Sequence, residues 1–327
     1  MSKKMLSVAE TAARIEAGAR LAIAGDEALL RALPPGTWIG GTIPYFMSED
    51  GGQCTTEALY VDELPQSEGA LRIAAYGPDE LAHIPRDAYE RGYSLIILPA
   101  ATPVHERFAK EAPEYEGMFL HPLVGWVAGV KLDDIGRVTP KVFEGPTGAV
   151  HEDAAVVLHV ELPPAQTAIV DIVNVFEQGQ GDTLTFDATG FQPEMVRVNG
   201  GEPQSFAAYL RAQGVDTRLP LVADYAGAMV NVSLQSVPEG DGAVALYAPV
   251  FEGVEYRFAQ PVADYVETFT AAIPGTVPGV RFSCNCILNY VYSGLEGRRT
   301  GTLTGPMTFG EIAYQLLNQT MVYLRVE

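Results

Sequence analysis

Ser94-Leu95-Ile96-Ile97-Leu98 is the stretch that most narrows the choice of fold. After its first residue it is continuously apolar. A strand with one wet face alternates, so a run without alternation should be buried on both faces. Met229-Val230-Asn231-Val232-Ser233-Leu234-Gln235 has the opposite pattern. Its apolar and polar residues alternate without a slip, which predicts a half-buried antiparallel strand.

Between and around these strands the chain carries helix signals. Ser7-Val8-Ala9-Glu10 has the form of a capping box, and Asp26 can cap a second helix stopped by Pro34-Pro35-Gly36. Trp38-Ile39-Gly40-Gly41-Thr42 reads as a strand running into a tight glycine turn. Further strands are predicted over 58–61, 71–76, 138–143 and 154–160, with helical segments at Pro85 and over 104–110. Leu162-Pro163-Pro164-Ala165 is the expected domain junction, because consecutive prolines stop a ladder and stiffen a linker. Past it, strands are expected over 168–175, 183–186, 195–198 and 243–250. Helices are expected over 204–211 and 261–272, the latter with Pro261 in its first turn. The fold class is α/β (α+β): two sheet-containing halves, residues 1–164 and 165–327, with mixed and antiparallel strands and flanking helices.

Acidic residues outnumber basic ones 41 to 21, a formal charge of −20. Such a field repels phosphate backbones and anionic lipid surfaces, so neither nucleic acid nor membrane is expected as a partner. No run of about 18 apolar residues occurs, and the opening SVAETAARIEAGAR is helical and polar, unlike a secretory leader. The cysteines are Cys54, Cys284 and Cys286. The last pair is too close for an unstrained disulfide, and a reducing, cytoplasmic setting fits.

No phosphate-binding loop, dinucleotide fingerprint, zinc-protease or nucleophile-elbow motif occurs, and no catalytic residues are assigned. Cys284 and Cys286 could share a metal, but structural zinc wants four ligands and no second pair is near, so no metal is expected. They could equally be buried structural thiols, or the centre of a thiol-dependent enzyme. His121 sits in the apolar segment Phe119-Leu120-His121-Pro122-Leu123-Val124-Gly125-Trp126, the setting a proximal haem ligand requires, or is a turn histidine before Pro122. Glu311, between Gly310 and Ile312, is a carboxylate amid apolar neighbours. It is either a capped turn or a ligand-binding group, with Asn318 and Thr320 as nearby donors.

The closing segment resembles the FIST family of sensory input domains. The resemblance rests on Phe282-Ser283-Cys284, on Phe309-Gly310-Glu311-Ile312 and on Asn318-Gln319-Thr320 entering the last strand. Val237-Pro238-Glu239-Gly240 and Trp38-Ile39-Gly40-Gly41-Thr42 are similar to the family's pattern in its two parts. The chain departs where Cys286-Ile287-Leu288 stands in place of an early arginine, and where Gly305-Pro306-Met307 replaces an aromatic lead-in. The resemblance implies FIST N-terminal-like and C-terminal-like halves and a stand-alone sensor, not an enzyme. It would bind an amino-acid-like small molecule without a cofactor and signal through a separate partner such as a kinase or cyclase. The implied pocket is formed by Gly40, Gly41, Thr42, Cys284, Asn285, Gly310, Glu311, Asn318 and Thr320. Some family members are described as haem-binding gas sensors, which is the alternative for His121.

Overall fold

The computed structural model describes residues 4–225, 227–273 and 275–327. Among these the strands assemble into four six-stranded sheets and one two-stranded ribbon, with helices on their faces: an α+β architecture. The double-sided burial expected of residues 94–98 holds, since the strand Gly92–Pro99 is buried throughout from Tyr93 onward. It lies parallel to Leu123–Ala128 and antiparallel to Ala155–Glu161. Leu71–Tyr76 forms one edge of this second sheet, and the hairpin of Glu311–Ala313 with Gln315–Leu317 forms the other.

The first sheet is built around Arg20–Gly25 and its parallel neighbour Trp38–Thr42. The helices Val8–Glu16 and Glu27–Arg31 start on the predicted caps, Ser7 with its reciprocal Glu10 bond and Asp26. Gly40 and Gly41 lie inside the strand and form no turn. A Cβ on Gly41 would stand 2.7 Å from both Ile97 and the Trp126 ring. The glycine is there for close approach of the first sheet to the second, not for chain reversal.

The third sheet runs Ala168–Val173, Met321–Val326, Val280–Cys286, Gly305–Thr308, Tyr45–Ser48, Gly51–Cys54. It and the second sheet both draw strands from either side of Pro163-Pro164. One core unites Ile39, Trp126 and Leu158 with Cys284, Cys286 and Val322. The fourth sheet, from Leu184–Thr185 to Tyr256–Phe258, is made wholly of residues beyond that junction.

Several expected elements are shorter than their patterns. The alternating run over 229–235 breaks at Ser233 into Ala228–Val232 and Leu234–Ser236, which pair in different sheets. Ser233 is buried there and its hydroxyl donates to Gln319 Oε1 at 2.8 Å. The strand expected over 138–143 is Val142–Glu144, and that over 243–250 is Ala245–Leu246. The late helix spans Tyr265–Ala272, with Asp264 accepting from the Glu267 amide as its cap, so Pro261 stays outside. Among the described residues no helix is long and apolar enough to cross a membrane.

Candidate functional site

Sheet register brings the C-terminal motifs together. Val280–Cys286 pairs antiparallel with Met321–Val326 (Asn285 opposite Met321) and parallel with Gly305–Thr308 (Cys286 opposite Thr308). Thr308, Cys286 and Thr320 thus meet at one end of the third sheet. The chain then turns at Phe309-Gly310 and enters the second sheet at Glu311, opposite Trp126. A Cβ at Gly310 would stand 2.7 Å from the end of the Leu316 side chain, which would have to shift to make room.

Glu311 occupies the seam and is wholly buried. Its Oε2 accepts from the Thr320 amide at 3.2 Å and the Thr320 hydroxyl at 2.9 Å. Its Oε1 lies 3.3 Å from the Thr308 hydroxyl, and the Cys286 thiol donates to the same carboxylate. Burial pushes the carboxyl up to about 8, and these four donors offset only part of that. At neutral pH the group is chiefly an uncharged acid. Thr308 Oγ1 also reaches the carbonyls of Asn285 (3.3 Å) and Gly310 (3.1 Å). A protonated Oε1 can therefore donate to Thr308 while Thr308 donates onward, leaving no member unsatisfied.

The two thiols are two residues apart on one strand and share a face. Cys284 donates to the Gly125 carbonyl at 3.4 Å. Burial pushes both thiols well above the ordinary range, with the Glu311 charge adding to it, so neither is a resting thiolate. Asn285, pointing the other way, accepts from the Cys286 amide (2.7 Å) and the Asn289 side chain (2.9 Å). Asn289 comes from the short helix Ile287–Tyr292 that follows the strand directly. Asn285 Nδ2, Asn289 Oδ1 and the Tyr265 hydroxyl are buried without a hydrogen-bond partner. Buried orphans of this kind call for an occupant such as a water or a ligand.

Two cavities adjoin the cluster. One, of about 420 Å³, is polar and is lined by Tyr265, Asn289, Tyr292, Gln319, Arg218 and Asp216, among others. The other, of about 140 Å³, is largely apolar and has Cys286 and Asn318 in its wall with Leu288, Tyr292 and Phe309. Tyr292 borders both. Glu311 stands behind Cys286 and lines neither, so it acts on either space through Cys286 and Thr320.

The sequence-derived set divides accordingly. Cys284, Asn285, Gly310, Glu311 and Thr320 are gathered in the buried cluster. Asn318 is fixed by donating to the Leu317 carbonyl and receiving the Ser233 amide at 3.5 Å. Gly40, Gly41 and Thr42 lie beyond the Trp126 ring. Gly41 packs on that ring, and Thr42 Oγ1 accepts from the Lys141 amide at 3.0 Å. They border neither cavity. His121 is half-buried in the turn before Leu123–Ala128, five residues before Trp126, the partner of Glu311. Among the described residues no group of three or more His, Cys, Asp or Glu side chains could hold a metal ion. Thr308, Asn289 and Tyr265 are members that sequence reasoning missed. Only the Asn285–Asn289 spacing carried a signal, since a strand turning straight into a helix can fold the second amide back on the first.

Residues 6–327 match a family of unknown function (DUF6976), and the chain belongs to that family. Comparison with curated proteins finds no match.

Proposed function

We propose that the chain is a cytoplasmic sensory protein of the FIST type. It would bind an amino-acid-like metabolite and pass the signal to a separate partner such as a kinase or cyclase. One observation carries this reading: the three C-terminal motif segments converge on one buried polar cluster beside a cavity of ligand size, in which Tyr265 Oη and Asn289 Oδ1 lack partners. An amino acid offers an amine for Asn289 Oδ1 and a carboxylate for the Arg218 guanidinium at the rim. Arg218 is already bonded to Asp216 at 2.7 Å, which holds the fork in place for a second acceptor. The three free cysteines support a reducing compartment.

The test is thermal-shift screening against the common amino acids, repeated with Asn289→Leu. Stabilisation by one or a few amino acids that the substitution abolishes is expected. No stabilisation by any of them, or stabilisation indifferent to Asn289, would remove the cavity as the ligand site.

A second reading, a thiol-dependent enzyme, is favoured by the Cys286 thiol donating to Glu311 at the wall of the inner cavity. There the ionised form of Glu311, which grows as pH approaches 8, would take the thiol proton as a ligand arrives. Labelling rates, given below, separate the two.

A further inference from the structure

A third and larger space, about 870 Å³, opens on the other side of Phe309 and Tyr247. It lies past the C-terminal ends of the parallel strands Gly92–Pro99 and Leu123–Ala128, the side on which such strands leave room for ligands. Its walls include Ala101–Pro103, His105, Val130, Arg137 and Phe191.

His105 is the group in this cleft that the rest of the fold leaves unused. It is 8 % exposed, and its Nδ1 accepts the Ala101 amide at 3.3 Å. A ring nitrogen that accepts carries no proton, so in the neutral imidazole the hydrogen is on Nε2. Burial pushes the imidazole down to about 4, so that tautomer persists at neutral pH. Nε2 is buried and has no hydrogen-bond partner. The arrangement is held by unusual backbone: Ala101 has φ 57°, a left-handed conformation alanine rarely adopts. The donors at the start of the following helix are taken. The Val104 amide donates to Asp153 at 2.8 Å, and the His105 amide lies 3.4 Å from Thr102 Oγ1. The helix end is therefore not the binding element; the His105 donor is.

Around that donor the surfaces are aromatic. Phe191 lies 5.8 Å from the imidazole, centroid to centroid, and Phe309 and Tyr247 also line the cleft. Lys110 and Arg137 stand in the wall, each already beside a carboxylate, Glu106 and Asp134 respectively.

We propose that this cleft is a second ligand site, distinct from the amino-acid cavity, which takes a planar aromatic molecule bearing a carboxylate or amide oxygen. The oxygen accepts from His105 Nε2–H, and the ring lies among Phe191, Tyr247 and Phe309. The separation of the two cavities makes this site independent of the sensory reading.

The experiment uses the full chain with indole-3-carboxylate, indole-3-carboxamide and cyclohexanecarboxylate as probes. Binding is read by calorimetry and by the Nε2 signal of 15N-histidine-labelled protein. At least one indole is expected to bind and to move the His105 resonance, and cyclohexanecarboxylate is expected to bind at least tenfold more weakly. His105→Phe, which keeps a ring but loses the donor, should weaken binding tenfold or more, and His105→Gln, which keeps a donor, should recover part of it. Far-UV dichroism and melting of both variants check that they fold. The relative strength of carboxylate and amide shows whether the Lys110 and Arg137 charges contribute. Binding by neither indole, or binding unchanged in a folded His105→Phe, overturns the proposal.

Discussion

Glu311→Gln gives the sharpest test of the buried cluster, because glutamine has the shape of the protonated acid. Its carbonyl can take the two Thr320 donors, and its amide can donate to Thr308 Oγ1, which passes its own hydrogen to Asn285 or Gly310. Raising the carboxyl from 4.5 to about 8 makes ionisation about 5 kcal/mol harder in the folded chain than in the unfolded one. The sign follows directly. The folded state holds the proton more tightly, so this stabilisation is complete below pH 4.5 and is lost as pH rises to about 8. The loss approaches about 1.4 kcal/mol per pH unit in the middle of that range. Between pH 5.5 and 8.5, wild type should lose about 3 kcal/mol relative to Glu311→Gln, whose amide does not titrate. Urea unfolding at several pH values measures this, followed by fluorescence of buried Trp38 and Trp126, the latter directly opposite Glu311 in the ladder. Comparing the two proteins at each pH cancels every other titrating group. Parallel stability profiles would refute the argument, because they would mean that Glu311 ionises as readily inside as outside.

Three further outcomes follow from named contacts. Thiol labelling of the native protein should be fast at exposed Cys54 alone, with Cys284 and Cys286 reacting only on unfolding; a fast Cys286 would favour the thiol-enzyme reading. Gly41→Ala forces a methyl to within 2.7 Å of Ile97 and Trp126, and should cost about 1–3 kcal/mol and shift the tryptophan emission. An unchanged spectrum and stability would show that the first two sheets have slack there. Lys4→Met leaves the buried Asp62 carboxylate without its partner 2.7 Å away, a loss of about 3 kcal/mol at neutral pH that should shrink as acid protonates Asp62, whose carboxyl burial pushes up. Calorimetric melting at pH 4 and pH 7 checks both parts.

Periodicity made the interior strands legible. Residues 94–98 had to be covered on both faces, and Leu71–Tyr76 was placed to the residue. It failed where a polar residue is buried for its hydrogen bonds. Ser233 fits an alternating strand by type, yet it ends one strand because its hydroxyl is committed to Gln319. Gly40-Gly41 was misread as a turn because two adjacent glycines mark chain reversal and close sheet packing equally well. That distinction lives in Trp126 and Ile97, far along the chain.

The candidate site divides in the same way. Glu311 stood out because a carboxylate between Gly310 and Ile312 must have either water or dedicated partners, and Thr320 was near enough in sequence to be noticed. Thr308 needed the parallel register of Cys286, and Tyr265 needed a helix whose start was itself misplaced. Those residues explain why an acid can be kept at this seam at all. A buried carboxylate without partners would be far more harmful than an apolar residue of the same size. As a neutral acid, however, Glu311 links Thr320, just before the last strand, to Thr308 at the end of Gly305–Thr308, and it does so from the edge hairpin of a different sheet. The chain of bonds thus ties the second and third sheets together at the wall of the Cys286 cavity. With the carboxyl raised to about 8, a cationic group arriving beside Cys286 would favour its ionised form, the proton passing to water, and turn a structural tie into a charged one.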